Sequence, residues 1–324
     1  MDNWVIALNG YNRRMLRYSR REILVGTAAA LAAGRLHALP LHDIKLGITT
    51  DEISDDVSTA ARFLREHGLQ WAEVRNLWGK YNTEQPLDKI REARGILDAS
   101  GVRVSIEGTG FFKIPLPGED SQGQRTLDDQ WTLLDRSLER ARAFGTEKLR
   151  IFSFMLQRGE MPSEKSTARI YELAREAARR ARGFRLAIET IGGGHVWTAA
   201  QAAALLKAVK EDNLGITWDP NNAAQAEGSE PPFPDGYRRL DPARIFHVHL
   251  RDYKHEAGKV VWAAVGQGEF DNVGQIRALR KDGYTGAFTL ETHWRDPHTK
   301  GQPDNAMIST EISLKALLQI VAQV

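Results

Sequence analysis

The feature that most constrains this 324-residue chain is a regular alternation that begins at residue 44. Short, β-branched apolar runs each give way to a longer stretch with apolar residues at helical spacing. The runs are 44–49, 71–75, 102–107, 148–154, 185–190, 214–219, 245–250 and 287–291, eight in all. Helical patterns fill 57–67, 86–100, 126–144, 163–182, 198–210 and 273–281, and a last one covers 310–322. The link between the sixth and seventh runs is rich in Pro and Gly (GSEPPFPDG) and holds at most a short helix near 237–240. Alternation of this kind makes parallel strands joined by right-handed crossovers. Eight such units in about 280 residues predict one closed (β/α)8 TIM barrel of the α/β class. An open doubly wound sheet is the competing architecture. Against it, no G-x-G-x-x-G turn follows the first run, and the Gly192-Gly193-Gly194 triplet has the wrong pattern for a dinucleotide.

The first 38 residues stand outside that pattern. A basic stretch ends in Ser19-Arg20-Arg21-Glu22-Ile23-Leu24, an alanine-rich apolar run follows, and Leu36-His37-Ala38 closes the segment. This is the order of a secretion signal, and the paired arginines resemble the twin-arginine export signal. The apolar run at 23–33 is too short to make a stable membrane span. The expected organisation is a removable signal over 1–38 and the barrel over 39–324. The expected destination is the periplasm, with the twin-arginine translocase as a transient partner. Six arginines and two acids in the signal, within a chain of net charge +2, leave the remainder at about −2. A slightly acidic domain is not built to grip phosphate backbones, so nucleic acid is not an expected partner. The absence of cysteine excludes disulfides, thiolate metal sites and a cysteine nucleophile.

Barrel enzymes keep their chemistry at the C-terminal ends of the strands. The fifth run ends A-I-E-T and delivers Glu189; the sixth ends T-W-D-P-N-N and delivers Asp219. The seventh, F-H-V-H-L-R-D, delivers His249, and the eighth, F-T-L-E-T-H-W, delivers Glu291. Any one of these alone reads as a loop cap, an ion-pair partner or a core residue. Together, four adjacent strand ends each supply one metal-competent side chain. Three carboxylates and an imidazole suit one divalent ion, Mn2+, Co2+, Mg2+ or Zn2+, with positions left for substrate. His247 shares a face with His249; it reads either as a core histidine or as a second group near substrate. Arg75 and Arg150 are candidates to hold a substrate oxygen, or else members of a buried Arg–Glu network. Lys113, in the loop after the third run, is a further candidate to reach substrate. Trp78, Trp218, Trp262 and Trp294 lie near strand ends, where aromatic faces suit a sugar, although packing explains each equally well. His195 and His293 are loop histidines within reach of the same end.

The motifs I-E-T, W-D-P-N-N, H-V-H-L-R-D, V-G-Q-G-E-F-D (265–271) and G-Y-T-G-A-F-T-L-E (283–291) resemble those of the xylose-isomerase-like barrel superfamily, the sugar phosphate isomerase/epimerase group. So do G-I-T-T-D-E-I-S (47–54) and W-A-E-V-R (71–75), and the resemblance spans roughly 44–322. It implies one divalent ion held by Glu189, Asp219, His249 and Glu291. It also implies a carbohydrate substrate, with Glu189 and Glu291 on opposite faces of a carbon next to a carbonyl, one removing a proton and the other returning one. Such chemistry is physically sound, because a cation that polarises a carbonyl acidifies the adjacent C–H bond.

Two positions depart from the pattern of the group's ketose epimerases. Asn222 stands where a histidine is usual, and His255 where an arginine is usual. Substrate contacts, Asn222 and Trp218 among them, are therefore expected to differ. The principal expectation is an isomerase or epimerase. A lyase or dehydratase acting on keto sugars or inososes is the alternative, and a carbohydrate-binding barrel without catalysis is the next. A metal-bound water acting as a hydrolase remains compatible with the residues. An apurinic endonuclease, which needs three metals and further His and Asp ligands, fits poorly. The oligomeric state is left open, a homo-oligomer included.

Overall fold

Each of the eight apolar runs pairs in parallel with its neighbours in sequence, and the first and last pair with each other. The computed structural model describes residues 44–324 apart from Arg158 and Met161. The barrel strands are β1 (Leu46–Thr49), β2 (Trp71–Val74), β3 (Arg103–Gly108), β4 (Lys148–Ile151), β5 (Arg185–Glu189), β6 (Leu214–Trp218), β7 (Ile245–Leu250) and β8 (Phe288–Leu290). The helices are α1 (Val57–Glu66), α2 (Leu87–Ala99), α3 (Ser121–Phe144), α4 (Glu164–Arg180), α5 (Ala199–Val209), α6 (Pro220–Ala224), α7 (Asn272–Lys281) and α8 (Asn305–Val321). The predicted closed (β/α)8 barrel is therefore the fold. None of the described helices is long and apolar enough to cross a membrane. The export signal expected at 1–38 lies outside the described residues.

Helix boundaries follow local chemistry. The Asp120 carboxylate accepts the Gly123 amide at 2.8 Å, so α3 starts five residues ahead of the apolar pattern that marked it at 126. It ends at Gly145, whose φ of 72° lets the chain turn away. Capping boxes at Ser163–Ser166 and Thr198–Gln201 open α4 and α5. Between β6 and β7, α6 and a series of single helical turns replace a full crossover helix, as the Pro-rich link requires.

Two irregularities shape the barrel interior. Ile245 pairs with Ile216 and His247 with Thr217, so Phe246 is an extra residue on β7. Its ring packs inside with Ile106 and Ala187. These come from alternate strands, as a barrel layer requires. His247, the next residue, also turns inward, where it meets Glu73 of β2. A matching shift on β3 leaves Ser105 between its pairings with Ala72 and Glu73.

Two hairpins extend the mouth. One joins Asn76–Leu77 to Lys80–Tyr81 after β2, and the other joins Asp252–Glu256 to Lys259–Ala263 after β7. The second was not legible beforehand. Its turn puts Ala257 at φ 49° and Gly258 at φ 77°, and alanine in a left-handed position carries none of the usual Asn-Gly signal. The Asp252 carboxylate secures its base by accepting the amides of Tyr253, Gly266, Gly268 and Phe270, each within 2.9–3.1 Å. That is the structural use of the G-Q-G-E-F stretch.

One buried acid serves no site. Glu107 of β3 aligns with Val74 and Leu149, which alternate with the inward Glu73 and Arg150, so it faces the helical layer. It is fully buried and neither carboxyl oxygen has a partner. Burial pushes its pKa well above the usual carboxylate range, and the charge on Arg140 only partly opposes this. A folded-state pKa raised in this way leaves stability intact below the unfolded value and lowers it as pH rises through the folded one. Glu107→Leu should therefore match the wild type near pH 4 and exceed it at pH 8 by about 1–3 kcal/mol. Urea unfolding across that range checks it; a gain that shrinks toward pH 8 would contradict the assignment.

Candidate metal centre

The chain order of the barrel brings β5, β6, β7 and β8 side by side, and the C-terminal end of each supplies one donor. Glu189 is the last residue of β5 and His249 lies in β7. Asp219 directly follows β6 and caps α6: its Oδ1 accepts the amides of Asn221 and Asn222 at 3.0 and 2.9 Å. That leaves Oδ2 to face the interior, where Asn222 and Arg251 reach it. Glu291 directly follows β8. One donor atom from each of the four lies within 4.8 Å of every other, and all four side chains are buried.

The donor set fits a divalent ion. His249 Nδ1 lies 3.1 Å from Glu291 Oε2, 3.4 Å from Asp219 Oδ2 and 3.8 Å from Glu189 Oε1. Bonds of about 2.0–2.2 Å to one ion put neighbouring donors at about that spacing. The opposite ring nitrogen, Nε2, is 2.8 Å from Glu73 Oε2. That contact assigns the proton to Nε2 and leaves Nδ1 as a buried nitrogen without a hydrogen bond, facing three acceptors. Only a proton or a cation resolves such an arrangement. A carboxylate behind a ligating imidazole is also the usual way a protein orients one.

Burial works against a charge on His249, but Glu291 and Glu73 outweigh it and hold the pKa well above the ordinary imidazole value. Burial likewise opposes ionisation of Glu73 and Glu291. His249 and Arg150 around the first, and Arg251 and His249 around the second, hold both carboxyls well below the usual range. His247 goes the other way: burial brings it down to about 4, against the pull of Glu73. It is a neutral, fully buried ring whose Nε2 sits 3.1 Å from Glu73 Oε2, with the His249 ring at a right angle beside it. The structure places it beside His249, on the same Glu73 oxygen.

Arginines complete the site. Arg150 donates to Glu73 at 2.8 Å and to Glu189 Oε2 at 2.5 Å. Arg75 holds Glu291 Oε1 at 2.5 Å and reaches Asp51 and Glu52 at 2.8 and 3.0 Å. Asn222 donates to Glu189 Oε1 and Asp219 Oδ2, both at 3.1 Å, so it too belongs to the cluster. Lys113 is exposed, 4.8 Å from the Phe152 ring. Trp218 is not part of the site. It is fully buried and donates from Nε1 to Gln275 of α7 at 2.9 Å, on the outer side of the sheet. His195 is buried with no partner on either nitrogen. His255 is exposed on the second hairpin and pairs with Glu269 at 2.7 Å.

Three participants escaped the sequence reading. Glu73 was visible only within W-A-E-V-R; its role depends on contacts more than 170 positions away. Glu52, joined to Arg75, Arg295 and His293, is equally non-local. Arg251 left a usable signal, since it follows His249 by two positions and so continues its face.

The family profile described as Xylose isomerase-like TIM barrel matches residues 61–315. The chain belongs to the xylose isomerase-like TIM barrel family. Among solved structures, it is similar to the IOLI protein with a bound zinc atom, at 18% identity and TM-score 0.68 over 86% of this chain and 99% of that one. A xylose isomerase-like TIM barrel protein from Mycobacterium smegmatis, in complex with magnesium, is similar at 19% identity and TM-score 0.63 over 82% and 88% of the two chains. D-psicose 3-epimerase from Clostridium cellulolyticum H10, with D-tagatose, is similar at 16% and 0.66 over 86% and 99%. At these identities the likeness carries the fold. No curated protein sequence matches the chain.

Removing Glu73 should be costly, because it leaves Arg150 and two histidines short of a buried acceptor. Glu73→Leu is expected to lose about 3–5 kcal/mol of stability in urea. A loss under about 1 kcal/mol would mean that the network contributes little to the fold.

Proposed function

We propose that the chain is a metal-dependent enzyme that removes a proton next to a carbonyl of a carbohydrate or polyol-derived substrate, as an isomerase or epimerase. The observation that carries this reading is the matched suspension of two glutamates. Arg150 pins Glu189 by Oε2 and Arg75 pins Glu291 by Oε1, each at 2.5 Å, so each keeps its other oxygen on the shared cluster. Two carboxylates held on either side of one centre suit a base and an acid that act on one carbon.

Glu189, Asp219, His249 and Glu291 would hold the ion. When bound, a divalent ion supplies Lewis acidity to a substrate carbonyl and lowers the pKa of the neighbouring C–H. One glutamate, ionised, would take the carbon proton, and the other, protonated at that stage of the cycle, would deliver its proton to the opposite face. Arg75 and Arg150 fix the two carboxylates, so neither has to reorganise during transfer. Asn222, between Glu189 and Asp219, keeps those two apart and in register.

Charge balance favours an uncharged substrate. Asp51, Glu52, Glu73, Glu189, Asp219 and Glu291 meet Arg75, Arg150, Arg251 and Arg295 in one network. With His247 neutral and His249 giving up its extra proton to the ion, one divalent ion would cancel the remaining negative charge and leave no surplus for a phosphate. Elimination is the second reading. It is favoured by His255, which sits on the outer hairpin facing Glu269, so the substrate contact expected of a ketose epimerase there is missing. We also propose export through the twin-arginine route, in keeping with an unphosphorylated substrate; Arg20→Lys with Arg21→Lys should retain the protein in the cytoplasm, as fractionation would show.

The decisive test is solvent-deuterium exchange into keto sugars by the metal-loaded protein. Glu189→Gln and Glu291→Gln should each lower it by at least about 100-fold, and His249→Ala should lose the ion by mass spectrometry. Full conversion of a keto sugar to its isomer or epimer by either glutamine variant would rule out the two-carboxylate mechanism. Sugar binding with neither metal nor exchange would leave a carbohydrate-binding barrel.

A further inference from the structure

Arg251 occupies an unusual place. It leaves β7 two residues after His249, and its guanidinium folds back over the donor set. Nη2 is 2.7 Å from Asp219 Oδ2, in contact with Glu291 Oε2, and 4.0 Å from Glu189 Oε1. These are the same three oxygens that surround His249 Nδ1. One cationic nitrogen therefore stands at the focus of the site. A guanidinium has no lone pair to offer a metal and keeps its charge at any working pH. A second cation at bonding distance from the same oxygens meets both overlap and Coulomb repulsion.

The rest of the side chain is held by two contacts of unequal length. Nη1 donates to His293 Nδ1 at 2.9 Å and, more weakly, to Asn222 Oδ1 at 3.4 Å. Nε is buried without a partner. The guanidinium carbon lies 5.1 Å from the Trp262 ring, on the hairpin that follows β7. A shift that frees Nη2 while keeping the His293 contact carries the group toward Trp262, whose face attracts a cation.

We propose that Arg251 is a displaceable counter-cation: it neutralises Asp219 and Glu291 in the unloaded protein, competes with the divalent ion for their oxygens, and moves to the Trp262–His293 wall when the ion enters. This rests on the metal-site reading above. The affinity of the site is then set by the exchange of one cation for another. Six buried or half-buried carboxylates explain why a counter-charge is needed, since an unpaired buried charge is strongly destabilising.

The test is a Zn2+ titration by calorimetry on wild type, Arg251→Met, Arg251→Lys and His249→Ala, counting only the binding that His249→Ala removes. Arg251→Met should bind at least tenfold more tightly than wild type, with Arg251→Lys between them. Its melting temperature without metal should be lower and its rise on adding Zn2+ larger. If wild type binds and Arg251→Met binds no more tightly, the competition is wrong while the metal reading stands. If neither binds Zn2+, the metal reading fails and this inference with it. Should Arg251→Met not fold, tryptophan fluorescence of the wild type decides. A Zn2+-dependent change abolished by Trp262→Phe supports the displacement, and bound Zn2+ without such a change overturns it.

Discussion

A single carboxylate, Glu73, ties the barrel interior to the cluster above it. It is completely buried, and it accepts from His247, His249 and Arg150, which come from the opposite side of the barrel and from β4. Ionisation there survives burial only because those partners surround it. The orientation of His249 depends on this contact, and so does the position of Arg150, which in turn fixes Glu189. A hydrophobic layer of Ile106, Ala187 and Phe246 fills another part of the interior. The barrel is thus apolar in that layer and ionic toward the mouth.

The ionic part is a network and not a sum of pairs. Glu291 touches Arg75, Arg251 and His249, and Glu52 touches Arg75 and Arg295. Removing one member leaves others uncompensated in a low dielectric, where the penalty is large. Such a mouth is poorly suited to solvent-filled flexibility and well suited to holding donors at fixed spacing. Rigidity of this kind is what proton transfer between two faces of one carbon asks of a protein.

The eight strands were legible in the sequence because the period of the pattern changes sharply between strand and helix, and each strand is flanked by turn residues. The clustering of Glu189, Asp219, His249 and Glu291 was legible for a related reason: each is a polar residue at or near the end of a buried run. What was not legible depends on which way a side chain turns once the barrel closes. Trp218 reads as a pocket aromatic until the pleat directs it to Gln275 on the helical layer. Glu73 and Glu52 look like ordinary acids until residues about 170 to 240 positions later meet them. The hairpin at 252–263 was hidden by an Ala-Gly turn, and the early start of α3 by a polar first turn that only its cap reveals.

The two pinned glutamates hang from different parts of the wall. Glu189 is held by an arginine on the adjoining strand, β4, while Glu291 is held from beyond β2, across β1. Changes that loosen one suspension need not disturb the other. On the proposed chemistry, a descendant could lose the proton-returning group and keep the proton-removing one, passing from inversion at a carbon to release of a leaving group. Divergence of reaction type within one scaffold would then require no redesign of the barrel, only the release of a single tether.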